Sequence, residues 1–323
     1  MKFSTGAWID GATGDRFVRD GYREGFPCAE RLKRLAKVDG LSGIELNYPA
    51  DLTDDNMSSV KKTLVETGLK CVIVGVDLTC QRKWQFGSVT SSDPQIRKEA
   101  IELTKKAMDI AADLGAGKIN FWLGQDGYDY CFQVDYDKMW TWLLDAIKKC
   151  ADYRKDVKIC LEYKMKEPRT HTVIATVGKA LLLALQSGRE NVGVTVDVGH
   201  ALQAGENVAE SVVLLNKYGK LFHFHMNDNY RLWDDDMMVG SVHFLEYLEL
   251  LYILKKINFD DWYSFDVYPY REDPLQVVSE CIKYIKGLDK LLDRIGTVNI
   301  EKALQDGDAV GALGRIRQAI MPD

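Results

Sequence analysis

Along the whole chain, short runs rich in β-branched and apolar residues alternate with amphipathic stretches, and the alternation occurs eight times. The strand-like runs are residues 2–8, 42–47, 70–76, 117–123, 157–163, 192–197, 220–226 and 262–268. In the sixth, Val192, Val194 and Val196 make a short apolar run that suits a strand buried on both faces. The stretches between the runs have helical spacing. Asp93-Pro94 sets a capping side chain before a proline at the first helical position. Ile96, Ala100, Leu103, Ala107, Ala111 and Leu114 then recur on one face. Asp273-Pro274 opens another helix in the same way, with Leu275, Val278, Ile282 and Ile285 along one side.

Eight strand–helix units without a long linker predict an α/β architecture, a (β/α)8 TIM barrel with a short helical C-terminal tail. A doubly wound sheet is the alternative, but no G-x-G-x-x-G follows the first strand and no Walker-type phosphate loop is present. The expected division is a barrel domain over 1–293 and a tail over 294–323. Leu304, Val310, Leu313 and Ile316 give the tail apolar contacts, either on its own flank or on a neighbouring subunit, and a homo-oligomer is expected. Two connections stand out. The one over 9–26 is rich in Gly and charge and reads as a mobile lid or rim loop. The one over 77–92 carries Lys83-Trp84-Gln85-Phe86-Gly87, which either closes over a ligand or packs as an aromatic loop.

Composition excludes several functions. A net charge of −6, with no basic run interleaved with aromatics, argues against nucleic acid as a partner. The 7 cysteines are odd in number and include no C-x-x-C, so they read as free thiols of a reducing compartment. No apolar run approaches the ~18 residues of a membrane span. A soluble, cytoplasmic protein is expected.

Four consecutive strand ends carry acid or imidazole. The fifth ends Leu161-Glu162-Tyr163-Lys164, where Glu162 and Lys164, two apart, share the inward face. The sixth ends at Asp197, with His200 three residues on; Asp197 could equally cap the next helix. The seventh holds His223 and His225 on one face, and the eighth ends at Asp266. In a barrel these ends open on one rim. Glu162, Asp197, a histidine and Asp266 would converge there, and gathered carboxylates repel unless protonated or neutralised. A divalent cation neutralises them, and three oxygens with one nitrogen suit Mn²⁺, Mg²⁺ or Co²⁺ better than a structural zinc, with Mn²⁺ the expected ion. His200, with Asp234 and Asp236 of the Trp233-Asp234-Asp235-Asp236 loop, could hold a second ion; an acidic run of this kind is otherwise a solvated turn.

These motifs resemble the xylose-isomerase-like barrel superfamily of sugar isomerases and epimerases, and within it the Pseudomonas type of L-rhamnose isomerase. The matching residues are Glu162-Tyr163-Lys164, Asp197-Val198-Gly199-His200, His225-Met226-Asn227-Asp228, Asp234-Asp235-Asp236 and Asp266, together with the Trp-Gly segment Phe121 to Gly127. The resemblance implies a structural metal on Glu162, Asp197, His225 and Asp266 and a catalytic one on His200, Asp234 and Asp236. It prefers His225 to His223, which spacing alone leaves open. It also implies a small sugar as substrate, with hydrogen transfer between C1 and C2 of an aldose–ketose pair. Lys164, His200, Glu162 and Asp266 would be the catalytic residues, and Trp122, Trp84, Lys164 and Asn227 would contact the sugar. Two alternatives lie within the superfamily: a ketose 3-epimerase with paired carboxylates, and a metal-dependent C-glycoside-cleaving lyase subunit. No histidine precedes His171, so the early-strand histidine of xylose isomerases is absent.

Overall fold

The computed structural model describes residues 1–321; the last two residues of the expected tail lie outside the described residues. Eight parallel strands close into a barrel: β1 (Lys2–Gly6), β2 (Leu41–Tyr48), β3 (Lys70–Val76), β4 (Lys118–Trp122), β5 (Lys158–Glu162), β6 (Val192–Asp197), β7 (Leu221–Met226) and β8 (Trp262–Phe265). All eight predicted strands are present. The first and last are shorter than expected, because Ala7–Asp10 turns into a 3₁₀ helix and the chain leaves β8 just before Asp266. Pairing of β1 with β8 closes the ring, with Phe3 opposite Tyr263.

The register sets the heights of the functional side chains. His225 lies level with Asp197 on β6 and with Ser264 on β8. Glu162 lies level with Trp122 on β4 and Thr195 on β6. Each residue of β6 is buried, as a strand covered on both faces requires.

Helices pack outside the strands. The helix Pro94–Asp113 starts where its cap predicts, with the Asp93 side chain accepting from the Gln95 amide at 2.8 Å. Asp273 caps Pro274–Ile295 through the Gln276 amide at the same distance. The tail forms two helices, Thr297–Asp306 and Ala309–Ile320, whose Ile300 and Ile316 pack on the chain's own flank. Among the described residues, no helix is long and apolar enough to cross a membrane.

Three short strands over 127–128, 166–167 and 170–172 form a small antiparallel sheet that the sequence pattern did not announce. The 9–26 connection, expected as a mobile lid or rim loop, is tied down. Its Arg23 guanidinium donates to the carbonyls of Ile9 and Gly11 on one side and of Pro269 and Glu272 on the other.

Candidate metal centre and sugar site

At the C-terminal ends of the strands lies a cavity of about 380 Å³. Lys164, Trp122, His200, Asp234, Asp236 and Asp266 are among the residues that line it. Ligand atoms of Glu162, Asp197, His225 and Asp266 come within 4.8 Å of one another. The structure thereby separates the two histidines of β7. His225 Nδ1 lies 3.1 Å from Glu162 Oε1 and 3.4 Å from Asp266 Oδ2. His223 sits deeper, against a carboxylate of β2.

Asp197 caps the next helix and also stands within the acidic group. One oxygen accepts from the His200 amide at 2.8 Å and caps the short helix Val198–Gln203; the other accepts from Asn227 Nδ2 at 2.9 Å. The cap turns His200 inward, so that its Nε2 lies 3.1 Å from Asp234 Oδ2. Asp197, His200 and Asp234 form a second group with ligand atoms within 4.8 Å. Of the expected second set, His200 and Asp234 fall in this group together with Asp197, whereas Asp236 lines the same cavity and accepts from Asn227 Nδ2 at 3.3 Å. Asp236 takes a left-handed φ of 47°.

Two expected sugar contacts lie elsewhere. Trp84 is fully buried in the core and lines no part of the cavity. Its loop is the packed aromatic alternative, because Ser88 and Thr90 each donate twice to the buried carboxylate of Asp126. Only Asp77, Thr79 and Cys80 of that connection reach the cavity. Asn227 is also buried, behind the site, and its contacts are to Asp197 and Asp236. Gly199 permits this: a Cβ there would meet Asn227 Oδ1 at 2.2 Å.

Lys164 and Trp122 both line the cavity. Lys164 Nζ lies 2.7 Å from Asp234 Oδ2, also pairs with Glu167, and stands 5.3 Å from the Trp122 ring centroid. The small antiparallel sheet is what presents Glu167. Sequence reasoning missed Glu167, Trp8, Asn120 and Glu45. Trp8 donates to Asp266 Oδ1 at 2.9 Å, and Asn120 donates to Glu162. Of these, Glu45 left a legible trace: a lone carboxylate between Ile44 and Leu46 in an apolar strand.

Burial and crowding govern the charge state. Burial pushes the Asp197 carboxyl up to about 6, with Asp234 and Glu162 adding to it. Burial likewise raises Asp266 to about 7, helped by Glu162 and Asp197. Asp236 is raised well above the carboxylate range by burial, Asp234 and Asp266. For His200, burial acts downward but Asp197 and Asp234 outweigh it, leaving the imidazole at about 9. Asp197, Asp266 and Asp236 are thus pushed toward their protonated forms where a cation would neutralise them, whereas, against burial, His225 and His200 hold Glu162, and His200 and Lys164 hold Asp234, below the usual carboxylate range. The donor set fits such an ion, since His200 Nδ1 and Asp234 Oδ1 are buried without a hydrogen-bond partner.

The family model described as xylose isomerase-like TIM barrel matches residues 32–288, and the chain belongs to that family. A xylose isomerase of Thermus thermophilus is 29% identical, over 84% of this chain and 74% of that enzyme. A xylose isomerase of Thermus caldophilus is 28% identical over the same shares. Among solved structures, an L-ribulose 3-epimerase superposes with a TM-score of 0.70 at 16% identity, covering 92% of this chain and 98% of that one. The 3-keto-D-glucoside 4-epimerase of E. coli gives 0.66 at 18% identity, over 88% and 100%. At these identities, the structural matches establish the fold.

Proposed function

We propose that this chain is a divalent-metal-dependent sugar isomerase that interconverts an aldose and a ketose by moving a hydrogen between C1 and C2. The observation that carries the reading is one cavity in which Lys164 stands beside two groups of buried carboxylate and imidazole ligands. Glu162, Asp197, His225 and Asp266 would hold one ion and Asp197, His200 and Asp234 another, with Mn²⁺ the proposed metal and Mg²⁺ or Co²⁺ the others. Ions so bound supply Lewis-acid polarisation of the sugar oxygens beside them.

The chain's own groups then divide the work. Lys164, kept cationic by Asp234 and Glu167, donates to O1 and stabilises the negative charge that grows there as the C2–H bond breaks and the C1–H bond forms. Asp236 holds its proton readily and lines the same cavity, so it can give a proton to O1 and recover one from O2. Trp122 and Trp8 give the sugar an apolar wall and keep water from the reacting carbons. The shorter acid Asp266 at the end of β8 suits a ligand better than a reaching base, which favours the isomerase over the 3-epimerase.

The names of the curated relatives support an aldose as substrate, and the motif resemblance adds L-rhamnose to D-xylose as sugars to try first. The test is a panel of aldoses and ketoses incubated with Mn²⁺-loaded protein in deuterated water. Aldose–ketose conversion with little deuterium uptake is expected. Exchange at C3 would replace the reading by the epimerase, and inertness toward every free sugar would replace it by the lyase.

A further inference from the structure

We propose that Glu45, in the middle of β2, is the positioning residue that decides which nitrogen of His225 faces the acids of the cavity. The inference rests on reading those acids as a metal centre. The His225 ring spans two surroundings: Nδ1 faces Glu162 and Asp266, while Nε2 lies 3.0 Å from Glu45 Oε2. A neutral imidazole carries one N–H, and the nitrogen without it offers the lone pair a metal needs.

What Glu45 does to that choice is settled by its other partners. Its Oε1 accepts from the Ser264 hydroxyl and lies 2.7 Å from His223 Nε2. His223 is oriented from its far side, where Nδ1 lies 3.5 Å from Lys118 Nζ. An ammonium only donates, so Nδ1 keeps its lone pair and the proton sits on Nε2, pointing at Glu45. Lys118 is itself held by Asp261 Oδ2 at 2.7 Å and by the Phe222 carbonyl at 3.2 Å. A single polar file therefore runs through the barrel, from Asp261 through Lys118, His223 and Glu45 to His225, with its donors and acceptors in register.

Glu45 is left as a carboxylate with one oxygen free to take the Nε2–H of His225. That contact commits His225 to ligation through Nδ1, the nitrogen already turned toward Glu162, Asp197 and Asp266. Glu45, His223 and His225 are themselves close enough to suggest a third ion. The Lys118 ammonium at His223, and the use of both Nε2 atoms as donors, make them a hydrogen-bonded support instead.

Glu45→Gln in the full chain tests this, because the amide keeps the shape and turns one acceptor oxygen into a donor. Mn²⁺ affinity measured by titration calorimetry should fall roughly 10- to 100-fold. In Mg²⁺-loaded protein carrying ¹⁵N-histidine, His225 should show a protonated Nε2 and a bare Nδ1, and the variant should lose that pattern. Wild-type protein that binds no Mn²⁺ would overturn the metal reading and this inference together. Equal Mn²⁺ affinity and an unchanged His225 signature in a folded E45Q protein would overturn this inference alone. Should E45Q fail to fold, Lys118→Met frees His223 to change tautomer and should weaken Mn²⁺ binding several-fold; unchanged binding there would overturn it as well.

Discussion

Lys164 is a buried cation whose two partners are both carboxylates, Asp234 and Glu167. Burial acts to lower its pKa, and Asp234 and Glu167 more than reverse that, so the ammonium is charged throughout the working range. Lys164→Met should therefore retain bound Mn²⁺ by elemental analysis while kcat falls about 10²- to 10³-fold, the scale of losing one donor to a developing oxyanion. A variant with unchanged kcat would remove Lys164 from the chemistry. The ligands themselves predict a pH effect. Without a cation, Asp197 at about 6, Asp266 at about 7 and His200 at about 9 keep protons that ligation must displace. Mn²⁺ affinity should thus rise as pH increases through about 6 to 9, with proton release seen as a buffer-dependent heat of binding. A heat independent of buffer ionisation would count against it.

Among the elements, the 77–92 connection shows how one buried side chain organises a loop. Asp126 takes four hydrogen bonds from Ser88 and Thr90, two from backbone amides and two from hydroxyls. Asp126→Ala would orphan those donors in the interior and should cost about 2–4 kcal/mol, measured by urea denaturation. Asp126 does not line the cavity, so Mn²⁺ affinity should hold within about twofold. Much of this scale was legible in the sequence. Short runs of β-branched and apolar residues marked the eight strands, and acids at the ends of four of them marked the mouth, because parallel strands open their C-terminal ends on one rim. Asp93 and Asp273 announced their helices for an equally local reason. What escaped depends on contacts distant in the chain. Trp84 and Trp122 look alike as residues, and only packing sends one to the core and the other to the cavity. Asn227 follows the strand that carries His225 yet points behind the site, through the space Gly199 leaves. Asp234 and Asp236 share a spacing that suggests one face, and both line the cavity, but Asp234 alone joins the group of His200 and Asp197. Glu45 lies 180 residues from His225, beyond the reach of any local pattern.

For the whole molecule, the ligands of the proposed centre come from β5, β6 and β7, the short helix after β6, the loop after β7 and the segment just past β8. An ion bridging them would join nearly half the ring, and it would bind the folded chain alone. At a free Mn²⁺ concentration about 100 times its Kd, the folded state should gain about 2.7 kcal/mol, read as a raised Tm. Asp197→Asn should abolish that rise, since Asp197 belongs to both ligand groups. An equal Mn²⁺-induced rise in the variant would show the stabilisation to arise elsewhere.

Arg23 grips carbonyls from two loops that lie at opposite ends of the barrel's sequence, the one leaving β1 and the one leaving β8. Those loops flank the seam where the cylinder is sealed, and they bring Trp8 and Tyr268 to the same wall. One guanidinium thus couples the two edges of the seam like a clasp. The clasp thereby fixes the backbone next to both aromatic residues, one of which, Trp8, donates its indole N–H to Asp266.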